Sequence, residues 1–225
     1  MSKIYSIIGG GGKTSLIQYM AQNCFPQKKV LVCTTTHIYM PTYCKTLLSP
    51  SKEDIFKNFE KTDLLAIGCT TEHNKLTLVP WLLDSLHELA DIILVEADGS
   101  RGLPIKAPAE HEPALAPNTD YVLAVAGLDA IGHPICQVAH RPELYAKLLN
   151  KSINDIVSIQ DFTSVLQSPY GQKKAVHCKY AIVLNKVDTP QQILLAKQCL
   201  SLLQEKVFIA SLQNNLFYTK KFLLQ

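Results

Sequence analysis

Seven short runs along the chain are apolar, and most are apolar on consecutive residues rather than on alternate ones: 3–8, 29–33, 64–67, 92–95, 121–126, 180–184 and 207–210. A strand that is apolar on both faces has to be covered on both, as in a parallel sheet between two helical layers. Helical spacing fills the intervals. Residues 14–23 carry Leu16, Ile17, Met20 and Ala21 on one face, and 82–90 and 191–203 behave similarly. The last of these opens with Thr189, then Pro190, with Gln192 three residues beyond the cap, a capping box. Strand–helix–strand alternation implies right-handed crossovers, so the expected fold is α/β, a three-layer α/β/α with a mostly parallel sheet. At 225 residues it is expected to be one domain, 1–225.

Charge excludes several partners. Lys and Arg number 22 against 19 Asp and Glu, a net +3 with no block of like charges. That balance speaks against nucleic acid or a membrane surface. With 47% hydrophobic and 18% charged residues, the chain is no disordered, collagen-like or coiled-coil sequence. Seven cysteines without a CxxC pair fit a reducing compartment. The start, MSKIYSII, turns to glycine too early for a secretory signal, and the expected location is the cytoplasm.

The densest motif is Gly9-Gly10-Gly11-Gly12-Lys13-Thr14-Ser15, between an apolar strand and an amphipathic helix. Glycines let backbone N–H groups approach phosphate oxygens, and the helix N-terminus favours negative charge. Lys13 can reach the outer phosphates and Thr14 can ligate Mg²⁺. The full GxxxxGK[ST] pattern would need glycine at position 7, where Ile7 stands.

Two further strand ends carry polar groups. Residues 92–95 run into Glu96-Ala97-Asp98-Gly99, two carboxylates able to hold Mg²⁺ or orient a water, with a glycine N–H for a γ-phosphate. The same residues also suit a plain Asp-Gly turn. Residues 180–184 run into Asn185-Lys186-Val187-Asp188. Asp188 can accept from the N1–H and 2-amino group of guanine, donors that adenine lacks. Asn185 would tie this loop to the glycine run, and the Lys186 stem would cover the base. In the alternative, Asp188 only starts the turn into Thr189-Pro190.

Segments 34–50 and 97–117 are long for connections in a compact domain and are expected to be functional loops. The second contains prolines 104, 108, 113 and 117, which favour a stiff path. Thr35, Thr36 and His37 follow the second strand, while Arg101, Lys106, His111 and Glu112 populate the Pro-rich loop as a candidate acceptor or client surface.

GGGGKTS, the 96–99 stretch and NKVD resemble the P-loop GTPases with glutamate in the second motif, a branch that includes nickel-insertion and cobalamin-protein chaperones. Ile8 departs from the lysine that many of these place before the glycines. CTTTHI (33–38) and EADGSRGLPIKAPAEHEP (96–113) resemble more specifically the YqeC family, described as accessory proteins of selenium-dependent hydroxylases. The resemblance implies Mg²⁺-dependent binding and hydrolysis of GTP, or ATP, in the maturation of a selenium- or molybdenum-dependent hydroxylase. The partners would be that client or its insertion machinery, and a homodimer is among the assemblies allowed. Lys13, Glu96 and Asp98 would be catalytic, with Thr14, Glu96 and Asp98 holding Mg²⁺. A small-molecule kinase or nucleotidyl-handling enzyme, and a binding module with little turnover, are the alternatives.

Overall fold

Successive side chains of a strand point to opposite faces, and here each face meets its own core. In the computed structural model, which describes residues 2–71 and 75–219, Ile4 and Ile8 of β1 (Lys3–Gly9) pack into clusters on one side and Ile7 on the other. The chain continues through α1 (Lys13–Asn23), β2 (Val30–Thr34), β3 (Ile38–Tyr39), β4 (Lys45–Leu48), α2 (Lys52–Phe59), β5 (Leu64–Thr70) and β6 (Lys75–Thr77). After a 3-10 turn at Pro80–Ser85 come α3 (Leu86–Leu89), β7 (Ile92–Glu96), β8 (Ile105–Lys106) and β9 (Tyr121–Gly127). Next are α4 (Ile135–Val138), β10 (Ala139–His140), α5 (Pro142–Leu149) and α6 (Ile159–Gln167). Finally β11 (Lys179–Asn185), α7 (Pro190–Leu202), β12 (Lys206–Ser211) and β13 (Leu216–Thr219) complete the described chain.

The main sheet has the order β13-β12-β11-β9-β1-β7-β2-β5-β6-β3, with β4 added to β5. Strands β4, β5, β2, β7, β1, β9, β11 and β12 run parallel. The antiparallel pairings, β12 with β13 and β6 with β5 and β3, lie toward the sheet's ends. β8 and β10 form a separate parallel pair. Helix α1 buries Leu16, Ile17 and Met20 on one face. On the other, α2 and α3 bury Ile55, Phe59, Leu86 and Leu89, and α5 to α7 bury Tyr145, Phe162, Leu166 and Cys199. The architecture is the expected three-layer α/β/α. Because β1 lies between β7 and β9, the ends of β1, β7, β9 and β11 converge on the glycine run.

The seven apolar runs are all strands, and the Thr189 capping box is present with Pro190 in the first turn. Two expectations change. The helix expected over 82–90 is split between the 3-10 turn and α3, with Leu82, Leu86 and Leu89 all buried. Segments 34–50 and 97–117, expected to be long loops, also carry short strands: β3 and β4 extend the sheet from the first, and β8 rises from the second. Helices α2 and α6 begin at Ser51 and Ser158, whose hydroxyls accept from Asp54 N–H and Asp161 N–H while each carboxylate binds back. The seven cysteines are free. No helix among the described residues is long and apolar enough to cross a membrane.

Candidate functional site

Strand β1 ends against β9, and this contact explains the glycines. A Cβ on Gly9 would stand 2.2 Å from Val125 O, and one on Gly11 would stand 2.3 Å from Gly127 N. Gly9, Gly11 and Gly12 also have φ of +97°, +69° and +120°, a region unfavourable to other residues. The backbone donors divide sharply. Gly9 N–H donates to the Asp98 carboxylate, Gly10 N–H to Val125 O and Gly11 N–H to Leu103 O. The N–H groups of Gly12, Lys13, Thr14 and Ser15 have no acceptor among the described residues, because α1 makes its first turn there. The expectation that Gly9, Gly10 and Gly11 present their N–H groups to phosphate is therefore corrected. Those three donors hold the loop, and the free ones lie one turn further on.

Lys13 is 4% exposed. Its ammonium donates to Gly9 O at 2.8 Å and Ser100 Oγ at 3.2 Å, and pairs with Asp98 Oδ1 at 3.2 Å and Glu96 Oε1 at 3.8 Å. Thr14 Oγ1 donates to Glu96 Oε2 at 3.0 Å, so the hydroxyl and carboxylate expected to share a metal are adjacent. Burial pushes the Glu96 carboxyl up, against the opposing pull of Lys13 and Thr14. Asp98 is engaged differently. Besides Gly9 N–H it holds Lys13 and, at 3.1 Å on Oδ2, Lys106. A carboxylate with both oxygens committed to a backbone amide and two lysines is a clamp on the loop, and Glu96 has the freer coordination.

At the end of β11, Asn185 Nδ2 donates to Gly11 O at 2.7 Å, the tie expected from sequence. The Lys186 ammonium pairs with Asp129 Oδ2 at 2.6 Å. Asp188 Oδ1 accepts from Ser211 Oγ, which in turn accepts from Asn214 Nδ2 at 2.6 Å. Asp188 Oδ2 has no hydrogen-bond partner among the described residues, and the cap of α7 is supplied by Thr189, not by Asp188. Asp188 lines a cleft of about 350 Å³ with Gln18, Tyr19, Asn185 and Lys186, reaching Gly11, Gly12 and Ser15.

The remaining candidates do not form one surface. Thr35 is fixed by its own contacts, N–H to Glu96 O at 3.1 Å and Oγ1 to Ala114 O at 2.5 Å. Thr36 N–H donates to Thr34 Oγ1. His37 and Arg101 line a second cleft of about 750 Å³ together with Lys13, Thr14 and Glu96. His111 is exposed. Lys106 and Glu112 are 1% and 9% exposed and cannot be an open client surface. They pair at 2.8 Å, and Arg141 grips both Glu112 oxygens at 2.5 and 3.2 Å. Sequence reading missed Arg141, which nothing but its position after β10 singles out. Burial pushes the Glu112 carboxyl up, but the hydrogen bonds from Lys106 and Arg141 outweigh it and hold the group at about 2. Among the described residues no group of three His, Cys, Asp or Glu side chains could hold a metal ion, so a cation here would need the Thr14 hydroxyl as well.

The matches to known proteins fall on these elements. The family model described as YqeC protein matches residues 5–143, from β1 through Arg141, and stops short of Asn185 and Asp188. The Escherichia coli (strain K12) protein YqeC, itself described as uncharacterized, is 28% identical over 243 residues, spanning 97% of this chain and 91% of that protein. With the model covering the glycine run, both carboxylates and the Lys106–Glu112–Arg141 cluster, the chain belongs to the YqeC family.

Proposed function

We propose that this protein binds a Mg²⁺–nucleoside triphosphate at the start of α1 and hydrolyses it. One observation carries the reading. Four consecutive N–H groups, Gly12 to Ser15, lack acceptors among the described residues at a helix N-terminus beside the buried Lys13 ammonium, an arrangement suited to a polyanion. Thr14 and Glu96 fit a divalent cation: they are 3.0 Å apart, and the Glu96 carboxyl is pushed up by a burial that a cation would offset. Mg²⁺ held there would neutralise charge between the outer phosphates.

The protein's own residues would do the rest. Lys13 would exchange its Gly9 and Ser100 contacts for phosphate oxygens, while Asp98 keeps the loop in place through Gly9 N–H. Glu96, or a hydroxyl from the 34–36 segment, would orient the attacking water. Asp188 favours guanine, because Ser211 fixes one oxygen and leaves the other open to the base. The cycle would serve maturation of a selenium- or molybdenum-dependent hydroxylase, as the resemblance implies.

A fluorescent GTP analogue titrated with and without Mg²⁺ tests this reading. Wild type is expected to bind more tightly with Mg²⁺, and Thr14→Ala to keep the metal-free affinity but lose the Mg²⁺ gain. Absence of saturable binding of either GTP or ATP to wild type would sink the proposal.

A further inference from the structure

The glycine run and the start of α1 border two clefts. The 350 Å³ cleft extends toward Asp188, and the 750 Å³ cleft extends the other way, past Lys13 to β3, β6 and the 100–102 turn. Gly11, Gly12, Ser15 and Lys186 line both, so the phosphate end of a nucleotide would sit at their junction.

The charge of the larger cleft is unbalanced. Its lining includes Lys13, Lys75, Arg101 and Lys186 against one carboxylate, Glu96. Lys13 has Asp98 and Glu96, and Lys186 has Asp129. Lys75 and Arg101 have no carboxylate in ion-pair range among the described residues. The Lys75 ammonium rests 4.8 Å from the centre of the Tyr39 ring, its cross-strand neighbour in the β3–β6 pair. That contact orients the side chain without neutralising it.

The backbone at Arg101 is held in a defined turn. It has φ +51° and is followed by Gly102 at +77°, in a turn closed by Leu103 N–H donating to Ser100 O at 3.0 Å. Left-handed backbone at a long side chain carries strain and persists only where its surroundings hold it. Here the buried Lys106 ammonium donates to Gly99 O at 2.8 Å directly beneath the turn. The turn is thus anchored from the buried ion cluster while the Arg101 side chain lines the cleft.

We infer that the larger cleft takes a second ligand beside the nucleotide, a small molecule bearing a phosphate or carboxylate group that seats on Arg101 and Lys75. The inference rests on the nucleotide reading for its geometry, since the second anion would face the outer phosphates across Lys13. An arginine fork and an ammonium lining one cleft suit an oxyanion, and Lys13 and Mg²⁺ would moderate its repulsion from the nucleotide.

The test uses the full chain saturated with a non-hydrolysable GTP analogue and Mg²⁺, titrated with inorganic phosphate and, separately, with succinate. The wild type is expected to bind one of the two saturably, which also distinguishes a phosphate from a carboxylate ligand. The Arg101→Ala/Lys75→Ala variant is expected to bind that probe at least tenfold more weakly while its affinity for the analogue stays within twofold. No saturable binding of either probe to the loaded wild type overturns the inference. So does a variant that loses analogue affinity, because the two cations would then serve the nucleotide itself. The underlying reading fails separately, by absence of analogue binding to wild type. Probe titration of the free protein and the double variant still reports on Arg101 and Lys75 in that event.

Discussion

The Nζ of Lys106 lies 3.1 Å from Oδ2 of Asp98, and the other oxygen of that carboxylate holds Lys13 Nζ at 3.2 Å. A lysine from β8 and the lysine that opens α1 therefore share one counter-ion. Through Glu112 the chain of charges continues to Arg141, just beyond β10. Its charges balance: Lys13, Lys106 and Arg141 against Glu96, Asp98 and Glu112. Lys106 also donates to Gly99 O, so its charge and its hydrogen bonds are both consumed.

Removing that ammonium leaves two buried carboxylates short of a partner. Breaking a buried pair by deleting one member costs about 3–5 kcal/mol, far more than a surface change. Lys106→Met is expected to lower unfolding free energy by that order in urea denaturation. A change within about 0.5 kcal/mol would mean that Lys106 carries no buried ion pair.

The same cluster sets an acid limit. Glu112 titrates at about 2 in the folded chain against 4.5 for an ordinary glutamate. A carboxyl whose folded pKa is depressed contributes stability that is fully present above the unfolded value and is lost as pH falls through the folded one. Its share should therefore decline between pH 4.5 and 2. Urea midpoints for wild type and Glu112→Gln should converge across that window, and parallel curves would contradict the assignment.

Much of this was legible in the sequence because strands buried on both faces announce themselves residue by residue. The seven apolar runs and the Thr189 box needed no tertiary information. Helices α2 and α6 were readable in principle from Ser51-x-x-Asp54 and Ser158-x-x-Asp161, but short connections hid them. The burial of Lys106 and Glu112 was not readable. Their residue types suggest a surface, and only β8 pairing with β10 brings Arg141 to Glu112 over 29 positions. The division of the glycine donors was equally hidden, since it depends on Val125 and Leu103 supplying carbonyls from elsewhere in the chain.

That division makes the glycines separable by experiment. Gly11→Ala places a methyl 2.3 Å from Gly127 N at φ +69° and meets only backbone there. Left-handed strain of roughly 1–2 kcal/mol and overpacking of about 1–3 kcal/mol should together cost about 2–5 kcal/mol. A Cβ on Gly99 meets nothing within 4 Å, and Gly99→Ala should melt like wild type. Thermal unfolding of the pair decides it; equal melting temperatures would mean the loop is looser than its contacts indicate.

In the proposed nucleotide site, base preference would turn on Asp188. Its Oδ1 is held by Ser211 and its Oδ2 is open in a cleft that reaches the free N–H groups of α1. The competing role, capping α7, is filled by Thr189, whose hydroxyl accepts from Gln192 N–H at 3.3 Å. A carboxylate there can accept from N1–H and the 2-amino group of guanine, and adenine offers neither. Losing both contacts should cost about 2–4 kcal/mol, roughly thirtyfold to a thousandfold in affinity. Asp188→Asn should reverse the preference toward xanthine nucleotides, because the amide can donate to the 2-oxo group while still accepting from N1–H. Ser211→Ala should weaken GTP selectively by freeing the carboxylate, with a smaller effect on ATP. Competition of GTP, ATP and XTP against a fluorescent analogue on these three proteins reads all of it. Equal GTP and ATP affinities in wild type would remove the guanine assignment without touching the proposed phosphate site, which rests on the N–H groups of Gly12 to Ser15 and not on Asp188.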